Sequence, residues 1–214
     1  LEPGKVVIND NIFTGTVGGI NFWGNEACAD GKAPRLENFE ITNNTFSGLV
    51  SAGGYQAFGI MLERLSTWAE ARNAFAGVVS GNTFENIPSA GTDLNKLGIG
   101  VLVNMPGSTV EVGAANISIT NNTFKAGVAA NVAFFTADAA GAKIQRNNFG
   151  IGAVGVVNGA TSGTLDATEN WWGQATGPAA GQFVGDVAYC GWLNAAYPDG
   201  VAVAKPVNNT NTGL

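Results

Sequence analysis

A tripeptide of the form Asn-x-aromatic returns six times along the chain. The copies are Asn11-Ile12-Phe13, Asn44-Thr45-Phe46, Asn82-Thr83-Phe84, Asn122-Thr123-Phe124, Asn147-Asn148-Phe149 and Asn170-Trp171-Trp172. The asparagines step by 33, 38, 40, 25 and 23 residues, too regular for unrelated turns and too elastic for a helical repeat. Just ahead of most copies lies a short alternating run: Val6-Val7-Ile8, Phe39-Glu40-Ile41, Val78-Val79, Ile117-Ser118-Ile119, Ala142-Lys143-Ile144 and Thr164-Leu165. Behind most comes a second apolar segment, usually opened by glycine: Gly19-Ile20, Gly59-Ile60, Gly98-Ile99, Asn131-Val132 and Gly155-Val156. Each unit reads as strand, Asn turn, aromatic, glycine, strand and loop, which is one coil of a solenoid.

The residue types suit that geometry. Stacked coils bring equivalent side chains ~4.8 Å apart. An Asn amide has donors at one end and an acceptor at the other, so Asn11, Asn44, Asn82, Asn122, Asn147 and Asn170 are expected to bond coil to coil as a ladder. Asn also tolerates the left-handed backbone of a sharp turn. The turn should send the following ring inward, stacking Phe13, Phe46, Phe84, Phe124, Phe149 and Trp172 in one column.

Composition agrees. Glycine numbers 31 of 214 residues, roughly twice the ~7% average. Charged residues make up 12%, against an average of ~25%. One stretch, Leu62 to Phe75, carries apolar residues at 62, 65, 68, 69 and 75 and is expected to be a helical insertion. Everything else reads as strand and turn, an all-β solenoid of about six coils over residues 1–193. Long loops decorate the first three coils, where function is usually carried. Residues 194–214 form an extended tail in which Val201 to Val207 reads as a strand, able to cover the last coil or pair with a neighbour.

The closing segment is sharper than the repeats. Asp166-Ala167-Thr168-Glu169-Asn170-Trp171-Trp172-Gly173, then Thr176-Gly177-Pro178, then Val184-Gly185-Asp186-Val187-Ala188-Tyr189-Cys190-Gly191-Trp192-Leu193 resembles the ending of secreted right-handed parallel β-helix repeat proteins of pectate-lyase-like fold. Those proteins often close on Asn-Trp-Trp-Gly, a Gly-Pro and a Val-x-Tyr-x-x-Trp-Leu strand. Cys190-Gly191 departs from the pattern, which has Ser-Pro after the tyrosine. The resemblance implies a right-handed parallel β-helix and secretion, and it leaves the activity open because this scaffold hosts lyases, hydrolases, spikes and adhesins.

Several function classes are disfavoured. The net charge is −6 with ten scattered Lys and Arg, so no basic cluster for nucleic acid is present. No run reaches the ~18 apolar residues of a membrane span. Leu1 is not an initiator Met, which points to a processed or trimmed N-terminus. The chain has no His, so His-based catalysis and His-ligated metals are excluded. Neither a metal nor a cofactor is expected.

A glycoside hydrolase needs two carboxylates ~5 to 10 Å apart. The closest acid sets, Asp166 with Glu169 and Glu37 with Glu40, flank Asn turns. A lyase would want acids for calcium and an Arg base. Glu63-Arg64 beside Glu70 and Arg72 is the one pairing of that kind, and it reads first as a solvated helix face with salt bridges. No catalytic residue is assigned. Trp23, Tyr55 and Trp68, with Phe58, are candidate glycan contacts, since flat rings beside polar loops stack on sugar faces; the plainer role is covering the coils beneath their loops. The triplets beginning at Asn43, Asn116, Asn121 and Asn208 match the N-glycosylation acceptor pattern, two of them through the repeat itself.

Cys28 leaves the first coil and Cys190 follows the sixth, about five steps of ~4.8 Å apart, beyond the ~7 Å reach of a disulfide. A head-to-tail stack would bring Cys190 beside a neighbour's Cys28. The alternative, two thiols that are free or buried, stays open. The sequence is therefore read first as an extracellular, non-enzymatic structural protein of the cell surface, self-associating into a filament or adhesive fibre. The second reading is a carbohydrate-binding or carbohydrate-cleaving β-helix domain of polysaccharide lyase or glycoside hydrolase type.

Overall fold

The computed structural model describes residues 5–24, 38–64, 76–93, 96–106 and 116–204. Among them the chain is nearly all strand and turn, in three sheets whose named strands pair in parallel throughout. The first sheet stacks β1 (Val6–Asn9), β4 (Phe39–Thr42), β7 (Gly77–Ser80), β10 (Ile117–Thr120), β13 (Lys143–Gln145), β15 (Leu165–Asp166) and β17 (Val187–Ala188). The second, after the Asn turn, stacks β2 (Ile12–Phe13), β5 (Thr45–Ser47), β8 (Thr83–Glu85) and β11 (Thr123–Phe124), and single bridges carry it on through Asn148 to Trp171. The third stacks β3 (Gly18–Gly24), β6 (Phe58–Arg64), β9 (Ile99–Val103), β12 (Ala130–Phe134), β14 (Val154–Asn158) and β16 (Phe183–Val184). The result is a solenoid-like stack of parallel strands.

Register explains why the repeat tolerates uneven steps. Ile8, Ile41, Val79, Ile119 and Ile144 are paired in succession, so their side chains form one interior column. Ile20, Ile60, Val101, Val132 and Val156 form a second. Insertions fall between strands and leave both columns intact. Ile41, Ile60, Val79, Val101, Ile119 and Val132 are fully buried, each such side chain contributing ~1.5 to 3 kcal/mol.

The six asparagines and six aromatics stand where the interior turns from the first sheet to the second. The Nδ2 group of each asparagine donates to Oδ1 of the next, from Asn11 through Asn44, Asn82, Asn122 and Asn147 to Asn170, at 2.9 to 3.0 Å. The preceding backbone residue at each turn takes the left-handed conformation: Asp10, Asn43, Gly81, Asn121, Arg146 and Glu169 all have φ between 55° and 69°. The rings stack at 4.9, 4.9, 4.7, 5.5 and 4.9 Å between centroids from Phe13 to Trp172. Phe183 and Tyr189 extend the column beyond Trp172.

Two local expectations are corrected. The proposed helix from Leu62 begins as strand: Leu62, Glu63 and Arg64 continue β6, paired with Phe22, Trp23 and Gly24. Ile60 and Leu62 face the interior core while Met61 belongs to the outer cluster, so the alternation of a strand prevails there. Residues 65–75 of that stretch lie outside the described set. The glycine that opens the third strand of its repeat is Gly100, not Gly98. Gly19, Gly59, Gly100 and Gly155 are the positions whose Cβ would strike the ring of Phe46, Phe84, Phe124 and Trp172. Gly98 instead lies against the backbone of Ile87.

The tail turns back on the stack. Leu193 bridges Ala202 in antiparallel fashion, and the Asn194 and Val203 amides donate to Val201 and Trp192. The Asn148 side chain clamps the Tyr197 backbone, accepting from its N–H at 2.7 Å and donating to its carbonyl at 3.0 Å. Residues 205–214 lie outside the described set.

Candidate functional site

The outer face of the third sheet is apolar where the first two sheets present mostly polar groups. Phe58, Met61, Ile99, Leu102, Ala130, Ala133, Val154 and Val157 form a cluster separate from the interior core. Over part of it lies a cleft of about 590 Å³. Its floor is the outward row of β6, namely Phe58, Met61 and Glu63. Phe58 and Glu63 are five residues apart in one strand, so the row runs ~16 Å.

Three loops from two neighbouring levels build the walls. Ser51 donates to the Tyr55 carbonyl, and Ala52 bridges Tyr55 around Gly53 and Gly54. Both glycines have positive φ, 62° and 78°, which a tight two-residue hairpin turn requires. The turn leaves Tyr55 73% exposed at the rim and sets Gln56 beneath it, 4% exposed. On the other side, the Ala90 amide donates to the Lys96 carbonyl and the Lys96 amide to the Asp93 carbonyl, closing the loop that carries Lys96. Lys96 Nζ lies 3.6 Å from the Asp93 carboxylate. Asn104, at φ 62°, turns the chain after β9 and brings Met105 and Pro106 over the cleft.

Two buried polar groups have unmet capacity there. Gln56 Nε2 reaches Met105 Sδ at 4.0 Å, and its Oε1 has no partner among the described residues. Glu63 is 8% exposed, and no hydrogen bond or ion pair to its carboxylate is present among the described residues. Burial pushes the Glu63 carboxyl above its ordinary value. The described lining holds this one carboxylate, so the paired acids of glycoside hydrolysis are not assembled by it.

The residues singled out from sequence fall into three groups. Tyr55 stands on the cleft rim. Trp23 occupies the backbone position paired with Glu63 in β3, and nothing is described of its side chain. Trp68 and Cys28 lie outside the described residues. Cys190 is 8% exposed, beyond β17. Of the acids named earlier, Asp166 accepts from Gln145 and Thr168, Glu169 pairs with Arg146 at 3.2 Å, Glu40 pairs with Lys5 at 2.6 Å, and Glu37 lies outside the described residues. Asn43 and Asn116 are exposed, and Asn121 donates to Ser80 Oγ.

Gln56, Met61, Lys96 and Met105 were not legible as site residues. Reading Glu63 as part of a helix hid the row. The alternation of Ile60 and Leu62 with Met61 and Glu63, one strand carried on past Gly59, is the signal that would have exposed it. Among the described residues no group of three His, Cys, Asp or Glu could hold a metal ion, and no helix is long and apolar enough to cross a membrane. No family model, curated protein or solved structure matches this chain.

Proposed function

We propose that the chain is a right-handed, pectate-lyase-like parallel β-helix of about six coils, extracellular, that binds carbohydrate along the outer face of its third sheet. The observation that carries this reading is the cleft, with Tyr55 exposed at its rim and Phe58 in its floor. An extended floor of ~16 Å suits a length of polymer better than one compact small molecule. Exposed and half-buried rings beside polar loops supply the flat apolar faces that sugars stack on. The proposed act is binding without cleavage, because the described lining offers a single carboxylate.

The test is calorimetric titration of the purified chain with oligosaccharides of differing charge, repeated with Tyr55→Ala. Micromolar to millimolar binding that weakens in the variant supports the reading. Absence of binding to every oligosaccharide overturns it.

A second reading, head-to-tail self-association into a surface fibre, rests on β1 and β2, each of which pairs on one side only among the described residues. Val7 is 55% and Ile12 77% exposed there, and an edge strand pairs readily with another strand, from this chain or a second copy. Sedimentation across a range of concentrations, with non-reducing electrophoresis for a Cys28–Cys190 link between copies, tests it. A monomer at all concentrations sinks it.

A further inference from the structure

The two buried polar groups of the cleft are both acceptors, and this narrows what the cleft can hold. Gln56 is 4% exposed and its Oε1 is unpartnered among the described residues. The Glu63 carboxylate, 8% exposed, has no donor among the described residues. A buried acceptor without a donor is costly, more so when it is charged, and a ligand that supplies the donor recovers that cost. The other charged group lining the cleft, Lys96, is half exposed at the rim and has its own counter-charge in Asp93. Tyr55 is the remaining titratable group in the lining, and it faces solvent. The floor thus offers aromatic and thioether surface from Phe58 and Met61 and ends on a carboxylate with no partner among the described residues.

We infer that the carbohydrate taken by this cleft carries free amino groups, a glucosamine-type chain, with a ligand ammonium seated on Glu63 and a further N–H or O–H donor on Gln56. This rests on the carbohydrate reading above and specifies its ligand. The charge of the whole molecule points the same way: 16 acids against 10 bases give −6, a field that favours approach of a polycation. Burial raises the proton affinity of Glu63, and an ammonium beside it lowers that affinity again, so binding releases protons in the range where Glu63 titrates.

Three oligosaccharides of equal length separate the outcomes: a glucosamine oligomer, its N-acetylated counterpart and a uronic-acid oligomer. Each is titrated into the full chain and into Glu63→Gln. The variant keeps the shape and removes a buried charge, and an unchanged circular dichroism spectrum with a cooperative melt at or above the parent's midpoint certifies its fold. The expected result is binding of the glucosamine oligomer about tenfold tighter than the N-acetylated one, a preference erased by Glu63→Gln. Equal or tighter binding of the N-acetylated or acidic oligomer overturns the inference and leaves the carbohydrate reading standing. An amine preference that survives Glu63→Gln also overturns it, since general charge attraction would then be the cause. No binding of any oligomer overturns both.

Discussion

Asn44 and Asn82, 38 residues apart in sequence, are joined twice: the Asn44 Nδ2 donates to Asn82 Oδ1 at 3.0 Å and the Asn44 backbone N–H donates to the same oxygen at 2.9 Å. The Asn82 amide then reaches backwards to the Ile41 carbonyl at 2.9 Å and onwards to Asn122 at 3.0 Å. One side chain therefore ties together three levels of the stack. Both residues are about 1% exposed, so these bonds form in a low-dielectric interior where an orphaned group is costly.

Asn82→Ala should consequently be among the most damaging single changes. It leaves the Asn44 amide groups and the Ile41 carbonyl without their partner, about 3 kcal/mol or more in total. Asn11→Ala, at an exposed position with no earlier asparagine donating to it among the described residues, should cost about 1 kcal/mol or less. Urea unfolding of the two variants checks the contrast.

Gly59→Ala should be disruptive even though alanine is the smallest change. Its Cβ would lie 2.6 Å from the Gly100 carbonyl oxygen and 2.6 Å from the Phe84 ring. Backbone on one side and a stacked ring on the other leave no room to yield, so a loss of roughly 2 to 3 kcal/mol is expected. Gly54→Ala meets open space instead, and its cost is limited to the strain of φ 78°, about 1 kcal/mol. Thermal melts of both variants distinguish the mechanisms.

Glu63 makes stability depend on pH in a definite direction. Its folded pKa is raised above the ordinary 4.5 by burial. The folded state therefore binds the proton more tightly than the unfolded chain does. The stabilisation is fully present below the unfolded value and is lost as pH rises through the folded one. Glu63→Gln should be more stable than the parent at neutral pH, with the difference shrinking as pH falls toward 4.5. Denaturation midpoints at several pH values test this, and a parent more stable than the variant at neutral pH would sink the argument.

Asn148→Ala should loosen the tail without touching the stack. The side chain makes both bonds to the Tyr197 backbone, so its loss costs ~1 to 3 kcal/mol locally. Limited proteolysis should then cut near residues 196–200 faster in the variant, while the global unfolding midpoint moves little.

Much of this architecture was legible because the repeat writes its own register. Asn plus a ring two residues later fixes the turn, the ladder position and one interior column in a single motif. The third sheet was harder to read. Gly98-Ile99 and Gly100-Val101 offer the same local pattern two residues apart, and only the contact of Gly100 with Phe124 decides between them. Leu62 to Phe75 carried a plausible helical face, which concealed that Met61 and Glu63 stand on the outer side of a strand. The cleft depends on loops from separate levels meeting over that strand, such as Gln56 against Met105, 49 residues away. No local pattern encodes such a meeting. Asn131 departs from the repeat in another way: it holds the glycine position of its rung, is fully buried, and keeps both amide atoms without a partner among the described residues.

The central claim is that six asparagines form one continuous column through a parallel stack, buried from Asn44 to Asn170. Hydrogen exchange of the Asn side-chain amides, followed by NMR with residue assignment, tests it directly. The Nδ2 hydrogens of Asn44, Asn82, Asn122, Asn147 and Asn170 should exchange as slowly as the backbone amides of the neighbouring strands, and those of exposed Asn11 faster. Exchange of all six at the rate of a solvent-exposed asparagine would contradict the column and the stack it holds together.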